Sequence, residues 1–171
     1  MEELKASSPN ISPEGRGTGE GGIKKSVVAG QQNQSPSISL PLAAYIPEEY
    51  VPNLGTRLGL YHRLAGVELI EEVVDLAQEF KDRFGALPQP VDNLLYVVKI
   101  KVLAAKAGVS SISRQGRQIV IRPQTEGRRL TVSSPIDGAV KTGATQIRLD
   151  TRLAGDRWQE VLEEILRSNC A

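Results

Sequence analysis

The segment of residues 67–108, VELIEEVVDLAQEFKDRFGALPQPVDNLLYVVKIKVLAAKAG, decides the fold because it predicts two amphipathic helices in succession. In its first half, apolar residues recur every three or four positions up to Gly85, a residue type that commonly ends helices. This predicted stripe comprises Ile70, Val73, Val74, Ala77, Phe80 and Phe84. The second half repeats the pattern up to Gly108, with a predicted stripe of Val91, Leu94, Leu95, Val98, Val102 and Ala105. Because a short turn separates the two helices, we expect them to pack against each other.

The residues before this segment predict extended backbone followed by a shorter helix. Helix formation over residues 38–52 is disfavoured by Pro41, Pro47 and Pro52, because proline lacks an amide hydrogen and restricts the residue before it. Helical spacing resumes over residues 54–65. The predicted buried stripe of this helix is Leu54, Leu58, Tyr61, Leu64 and Ala65.

After Gly108 the pattern changes from a helical period to alternation. Residues 109–123 alternate apolar and polar types on either side of a Gln-Gly pair, which predicts a β-hairpin. Two further short strands are predicted at residues 128–133 and 146–150. The stretch between them, residues 135–145, is too rich in Gly and Pro to assign.

The chain ends in another amphipathic segment, residues 155–169, which predicts a last helix. Its predicted inward face is Trp158, Val161, Leu162 and Ile165. Helices followed by strands favour an α+β fold, with amphipathic helices packed on a small, mainly antiparallel sheet. The predicted core comprises Leu58, Tyr61, Val73, Phe80, Phe84, Leu94, Leu95, Val98, Ile119, Ile121, Trp158 and Leu162.

Composition indicates one ordinary domain preceded by a linker. The chain has 171 residues, of which 40% are hydrophobic, and 21 Lys and Arg against 20 Asp and Glu leave a formal charge of +1. Residues 6–37 are dominated by Ser, Gly, Pro, Gln and Asn and predict a flexible linker, so the domain is assigned to residues 38–171. The first residues lack the apolar centre of a signal peptide, and we expect a cytoplasmic protein.

No motif in the sequence predicts catalysis. The stretch GGIKKS, residues 21–26, lacks the spacing of a phosphate-binding loop, and no apolar strand leads into it. His62 and Cys170 are the single residues of their types, which excludes an internal disulfide and argues against a zinc site built from their side chains. We therefore expect no catalytic residue, no metal and no cofactor in this chain.

Charge is unevenly distributed along the chain. Acidic residues prevail over residues 68–84 and basic residues over residues 99–129. Glu79 and Asp82 lie three positions apart, so both carboxylates share one helix surface and can accept hydrogen bonds from an arginine of a partner. The alternative for the acidic run is an ordinary solvated face. For the basic run the alternatives are a nucleic-acid surface, a solvated strand face, or internal pairing with the acidic helix.

Three ordered blocks of residues carry a resemblance to a known family. They are LPLAAYIPEEYVP from Leu40, TRLGLYHRLA from Thr56, and EFKDRFGALPQPVDNLL from Glu79. In this order they resemble the C-terminal domain of bacterial transcription-repair coupling factors, the Mfd or TRCF domain family. The opening residues, MEELK, are similar to the end of the last helix of the translocase motor in such proteins. The resemblance thus implies that residues 1–37 are a motor-helix end followed by a linker.

The resemblance implies a non-catalytic regulatory domain within a larger ATP-dependent DNA translocase. In such a parent, motor domains use ATP and magnesium and bind duplex DNA, and other modules bind RNA polymerase and the repair protein UvrA. The C-terminal domain is implied to act as an autoinhibitory clamp that masks the UvrA-binding module until the motor engages a stalled polymerase, so that nucleotide excision repair is recruited only then. The clamp acids of the family correspond to Glu79 and Asp82, and their partners are expected to be basic.

Overall fold

A computed structural model describes residues 35–132 and 138–170. They contain α1 (Leu54–Ala65), α2 (Ile70–Phe84), α3 (Gln89–Lys106), α4 (Thr151–Ala154) and α5 (Trp158–Ser168). The strands are β1 (Ser37–Ser39), β2 (Val109–Gln115), β3 (Gln118–Pro123), β4 (Val140–Thr142) and β5 (Ile147–Asp150). The α+β prediction is confirmed. The predicted motor-helix end and most of the predicted linker lie outside the described residues.

Helix α3 has two buried faces, and it therefore connects two hydrophobic clusters. One face packs against α1 and α2 through Val91, Leu95, Val98 and Val102. The other packs against the sheet and α5 through Ile100, Leu103 and Ala104. The prediction of a buried Ala105 is wrong, because Ala105 is exposed on the remaining side.

Helix α1 is rotated relative to the prediction. Its buried residues are Leu60 and Leu64, whereas Leu54 and Leu58 are 60% and 58% exposed. The predicted burial of those two leucines, and of Ala65, which is also exposed, is wrong because contacts outside the helix fix its rotation. The Tyr61 hydroxyl accepts from the backbone N–H of Ile46 at 2.7 Å, and this bond ties the inward face of α1 to the proline-rich segment.

Helix α2 buries Val73, Leu76 and Phe80, and it ends at Gly85, where φ is +92°. The prediction of a buried Val74 is wrong, because its side chain is 62% exposed. Tyr50 fixes the end of this helix, since its hydroxyl lies 2.9 Å from the carbonyl oxygens of both Phe80 and Gly85. The acidic run is thereby held on the solvent side of α2.

The sheet has the order β1-β2-β3-β5-β4, with β1 parallel to β2 and the other pairs antiparallel. Its inner face is covered by α3 and α5. The inward residues are Ile112, Ile119, Ile121, Ile147 and Leu149. The predicted hairpin and the strand predicted at residues 146–150 are confirmed, whereas β1 and β4 were not predicted.

The strand predicted at residues 128–133 is wrong over its described part, residues 128–132. Here a side chain takes the place of a neighbouring strand: the Asn169 amide accepts from Thr131 N at 2.7 Å and donates to Thr131 O at 2.8 Å. The segment is thus tied to the end of α5, and Leu130 is buried beneath it.

The predicted core is confirmed at most of its positions. Buried members are Val73, Phe80, Leu95, Val98, Ile119, Ile121 and Leu162. Half-buried members that pack against the core are Tyr61, Phe84, Leu94 and Trp158. Leu58 is the exposed exception.

Replacing Phe80 with Ala should lower the free energy of unfolding by about 3–5 kcal/mol, because the fully buried ring leaves a cavity between α2 and α3. Val74→Ala on the same helix is the control and should change it by less than about 0.5 kcal/mol. Urea unfolding followed by circular dichroism measures both. Equal destabilisation of the two variants would contradict the assigned faces of α2.

Candidate interaction face on helix α2

Glu79 is held by two arginines of the same domain. Arg63 at the end of α1 donates from Nη1 to Oε1 and from Nη2 to Oε2, both at 2.8 Å. Arg83, one turn along α2, donates from Nη1 to Oε1 at 2.8 Å. These hydrogen bonds lower the pKa of Glu79 from its ordinary 4.5 to about 2, and the hydrogen bonding with Arg63 contributes most to the shift. The carboxylate is therefore ionised, and two cations already neutralise it.

Asp82 differs from Glu79 in its surroundings. It is exposed, and its Oδ1 accepts one hydrogen bond from Gln78 Nε2 at 2.9 Å. Within the described residues, no base lies within 4.0 Å of its carboxylate. Its negative charge is thus available to a partner without breaking an ion pair inside the domain.

Other exposed residues continue the surface around Asp82. We call this surface the outward strip of α2; it comprises Glu71, Val74, Asp75, Gln78 and Asp82. The spacing of three and four residues places them along one side of the helix. An apolar Val74 among acidic neighbours gives the strip both contact area and negative charge.

Glu72 is acidic but serves the helix itself. Its Oε2 accepts from the backbone N–H groups of Glu68 at 2.9 Å and Leu69 at 3.0 Å, at the start of α2. These bonds lower the pKa of Glu72 and satisfy amides that the helix leaves without partners. The acidic run therefore combines residues that stabilise the domain with residues that face solvent.

A cleft of about 430 Å³ lies between α1 and α2 beside Glu79. His62, Arg63, Asp75 and Glu79 are among the residues that line it. None of the described residues that line this cleft is a serine, threonine or cysteine, so none of them could serve as a nucleophile beside His62. In residues 35–132 and 138–170, no group of three His, Cys, Asp or Glu side chains is placed to hold a metal ion.

Cys170 packs against the start of the last turn of α3. Its Sγ lies 3.7 Å from the carbonyl oxygen of Leu103. Burial raises the pKa of this thiol, and a raised pKa reduces the fraction of reactive thiolate at neutral pH. Its environment therefore does not activate it as a nucleophile.

The basic run at residues 99–129 is divided among different parts of the domain. Lys99 forms an ion pair with Glu163 of α5 at 2.8 Å, Lys101 donates to the Ala65 carbonyl at 3.0 Å, and Arg114 donates to the Gly116 carbonyl at 2.9 Å. Internal pairing therefore occurs, but with α5 rather than with the acidic helix. Three bases of the run are thus held by contacts in different parts of the domain.

Sequence reasoning missed three residues that shape the candidate face: Arg63, Gln78 and Val74. Gln78 and Asp82 are four positions apart, so a closer reading of the helix surface could have paired them. The contact between Arg63 and Glu79 spans sixteen positions and two helices, and no local pattern predicts it. The exposure of Val74 likewise depends on how α2 is rotated against α3.

The fold places the chain among α+β domains in which helices cover one face of a mostly antiparallel sheet. Residues 40–130 match the family model of the TRCF domain. The chain belongs to this family of transcription-repair coupling factor domains. In the described part of the chain, no helix is both long and apolar enough to cross a membrane.

Similar proteins of known identity are transcription-repair-coupling factors. The transcription-repair-coupling factor of Staphylococcus haemolyticus is 33% identical over 138 residues, covering 76% of this chain and 12% of the relative. That of Rickettsia bellii is 36% identical over 100 residues, covering 58% of this chain and 9% of the relative. The chain thus spans about a tenth of the length of these relatives.

A solved structure described as the C-terminal domain of a transcription-repair coupling factor has a similar fold. The two structures superpose with a TM-score of 0.66 at 20% sequence identity, covering 79% of this chain and 89% of the other. The likeness supports the arrangement of helices and sheet described above.

The ion pairs of Glu79 predict a specific pH dependence of stability. Because the folded-state pKa lies below the ordinary value, the stabilisation is fully present above about pH 4.5 and is lost as pH falls from there towards about 2. Both arginines are about half exposed, so we expect a contribution of about 1 kcal/mol after solvent screening.

Urea unfolding at several pH values tests this prediction. Glu79→Gln and Arg63→Gln should both reduce the loss of stability between about pH 4.5 and 3. Arg152→Gln, an exposed base on α4, is the control and should leave that loss unchanged. An unaltered pH dependence in Glu79→Gln would show that the ion pairs contribute nothing.

Proposed function

We propose that this chain is a non-catalytic regulatory domain of a transcription-repair coupling factor and acts as an autoinhibitory clamp. The parent would be an ATP-dependent DNA translocase that removes stalled RNA polymerase and recruits nucleotide excision repair. In the resting parent the domain would dock on the UvrA-binding module and mask it. Membership of the TRCF domain family and the names of the relatives support this setting.

The outward strip of α2 is the observation that carries the docking proposal. Val74 is 62% exposed, and the neighbouring exposed residues Glu71, Asp75 and Asp82 are acidic. A basic surface of the partner module would match this charge, and Val74 would add apolar contact. Charge complementarity of this kind fixes orientation and adds modest affinity.

The two candidate acids would contribute differently to docking. Asp82 can accept a partner arginine directly, because the one hydrogen bond that its side chain accepts within the described residues comes from Gln78. Glu79 can accept one only at its remaining lone-pair positions or by releasing Arg63 or Arg83. We therefore assign the principal contact to Asp82 and a secondary contact to Glu79.

Weak docking suits a clamp that must open. Exposed ion pairs are individually worth less than about 1 kcal/mol, and a tether within one chain raises the effective concentration enough for weak contacts to persist. Once the motor engages a polymerase, a modest strain on the tether would suffice to separate the two modules. The parent's motor would supply ATP and magnesium binding, and the described residues are assigned no part in it.

The alternative is an accessory nucleic-acid-binding domain that uses residues 99–129. The internal contacts of Lys99 and Lys101 weigh against it, because those bases are held within the domain. Residues 99–129 therefore do not act as one nucleic-acid-binding surface.

The test joins this chain to the UvrA-binding module of the same coupling factor through a cleavable linker. After cleavage, calorimetry at moderate salt measures the association constant. Asp82→Asn should lower the association constant about two- to fivefold, which corresponds to the free energy of one exposed ion pair. Glu126→Gln removes the same charge from an exposed loop and is the matched control, expected to have no effect.

Glu79→Gln distinguishes a docking role from a structural one. If Glu79 contacts the partner, the association constant falls even at neutral pH in a variant that urea unfolding shows to be folded. If Asp82→Asn and Glu126→Gln bind as tightly as the original chain, the outward strip is not the docking face. Absence of any contact in the linked pair would overturn the clamp.

A further inference from the structure

The outer face of the sheet, turned away from α3 and α5, has an unusual composition. Outward positions alternate with inward positions along the strands, and the register aligns the outward positions across the sheet. We define the outer sheet face as Ser37, Ser39, Ser111, Ser113, Gln115, Gln118, Val120, Arg122, Lys141, Arg148 and Asp150. Nearly all of these side chains are hydrogen-bond donors.

The two exceptions do not change the character of this face. Val120 is 1% exposed and presents almost no apolar area. The Asp150 carboxylate accepts from the backbone N–H groups of Arg152 at 2.9 Å and Leu153 at 3.2 Å, so it caps α4. The accessible chemistry is therefore that of cations, hydroxyls and amides.

Three bases converge on one part of the outer sheet face. Lys141 and Arg148 are direct cross-strand partners, and side chains in such positions lie about 5 Å apart. Arg122 is diagonal to Arg148, because Val120, two residues before it, pairs with Arg148. All three bases are exposed.

This arrangement of like charges lacks compensation within the described residues. No carboxylate of residues 35–132 or 138–170 lies within 4.0 Å of any of the three bases. Like charges directly opposite each other on a sheet are destabilising. A bound anion would convert this repulsion into attraction.

A shallow recess of about 290 Å³ adjoins two of these bases. Lys141, Thr142, Thr145, Gln146 and Arg148 are among the residues that line it. With the Gln146 amide oriented to satisfy its hydrogen bonds, its side-chain oxygen accepts from Arg148 Nη2 at 2.8 Å and from Nε at 2.9 Å. Gln146 thus holds the Arg148 guanidinium in place. Within the described residues, the Nη1 group of Arg148 remains available to a ligand.

We propose that the outer sheet face binds the phosphate backbone of nucleic acid. Arg, Lys, Ser, Thr and Gln side chains supply the contacts that proteins make to phosphate and sugar oxygens. Within the described residues the face has no aromatic side chain on which a base could stack. Binding should therefore be independent of sequence and governed by charge.

A nucleic acid fits this surface better than an acidic protein does. Protein interfaces gain most of their affinity from a few buried aromatic, apolar or arginine anchors that fit pockets. The one apolar side chain of the outer sheet face is buried and the face has no aromatic side chain, so its arginines lack the apolar surroundings that protein anchors require. This surface shares no residue with the outward strip of α2 and is independent of the clamp.

Fluorescence anisotropy with a labelled 20-base-pair duplex of arbitrary sequence tests the proposal on the whole chain. We expect a dissociation constant of about 1–100 µM at physiological salt, the range of non-specific binding, and tighter binding at low salt. Arg122→Gln, Lys141→Gln and Arg148→Gln together should weaken binding at least tenfold. They should also reduce the slope of log K against log salt concentration by about 2–3, because each substituted base would no longer neutralise a phosphate.

A matched control removes the same charge elsewhere. Lys81→Gln, Lys106→Gln and Arg152→Gln alter exposed bases outside the outer sheet face and should weaken binding less than threefold. Equal weakening in both triple variants would show that net charge alone drives binding, and would overturn the proposal. Lack of duplex binding at low salt would also overturn it, as would polyglutamate binding as tightly as the duplex.

Discussion

The structure depends on α3 burying two faces at once. Val91, Leu95 and Val98 complete one cluster with α1 and α2, while Ile100 and Leu103 complete the other with the sheet and α5. Gly108 lies two residues beyond the end of this helix with φ of +66°, a left-handed backbone conformation that glycine adopts without steric cost. The chain turns there from α3 into β2, which begins at the next residue.

This constraint determines which surfaces remain for partners. Because Val73 and Phe80 pack against α3, the opposite side of α2 must face solvent, and the acids of the outward strip lie there. Because Ile119 and Ile121 are buried in the cluster between the sheet and its helices, the residues of β3 that alternate with them must lie on the outer sheet face. Each candidate surface is thus the complement of a buried one, and each carries a different charge.

Local patterns predict much of this fold, and contacts distant in sequence account for what they miss. The periodicity of Val73, Phe80 and Leu95 is enough to identify α2 and α3, and alternation identifies the hairpin. Strands β1 and β4 have three residues each and are too short to carry a pattern. They exist because longer neighbours satisfy their backbone hydrogen bonds. The candidate site is predictable to a similar degree: helical spacing places Glu79 and Asp82 on one surface, but it cannot distinguish a carboxylate held by Arg63 from one that is free.

Carboxylate footprinting tests whether the outward strip of α2 is covered when the domain docks. A carbodiimide and a neutral amine would label exposed acids in this chain, alone and linked to the UvrA-binding module, and mass spectrometry would locate the label. We predict that labelling of Asp75 and Asp82 falls in the linked protein while that of Glu126 stays constant. Unchanged labelling of Asp75 and Asp82 in the linked protein would show that the domain does not dock through the outward strip.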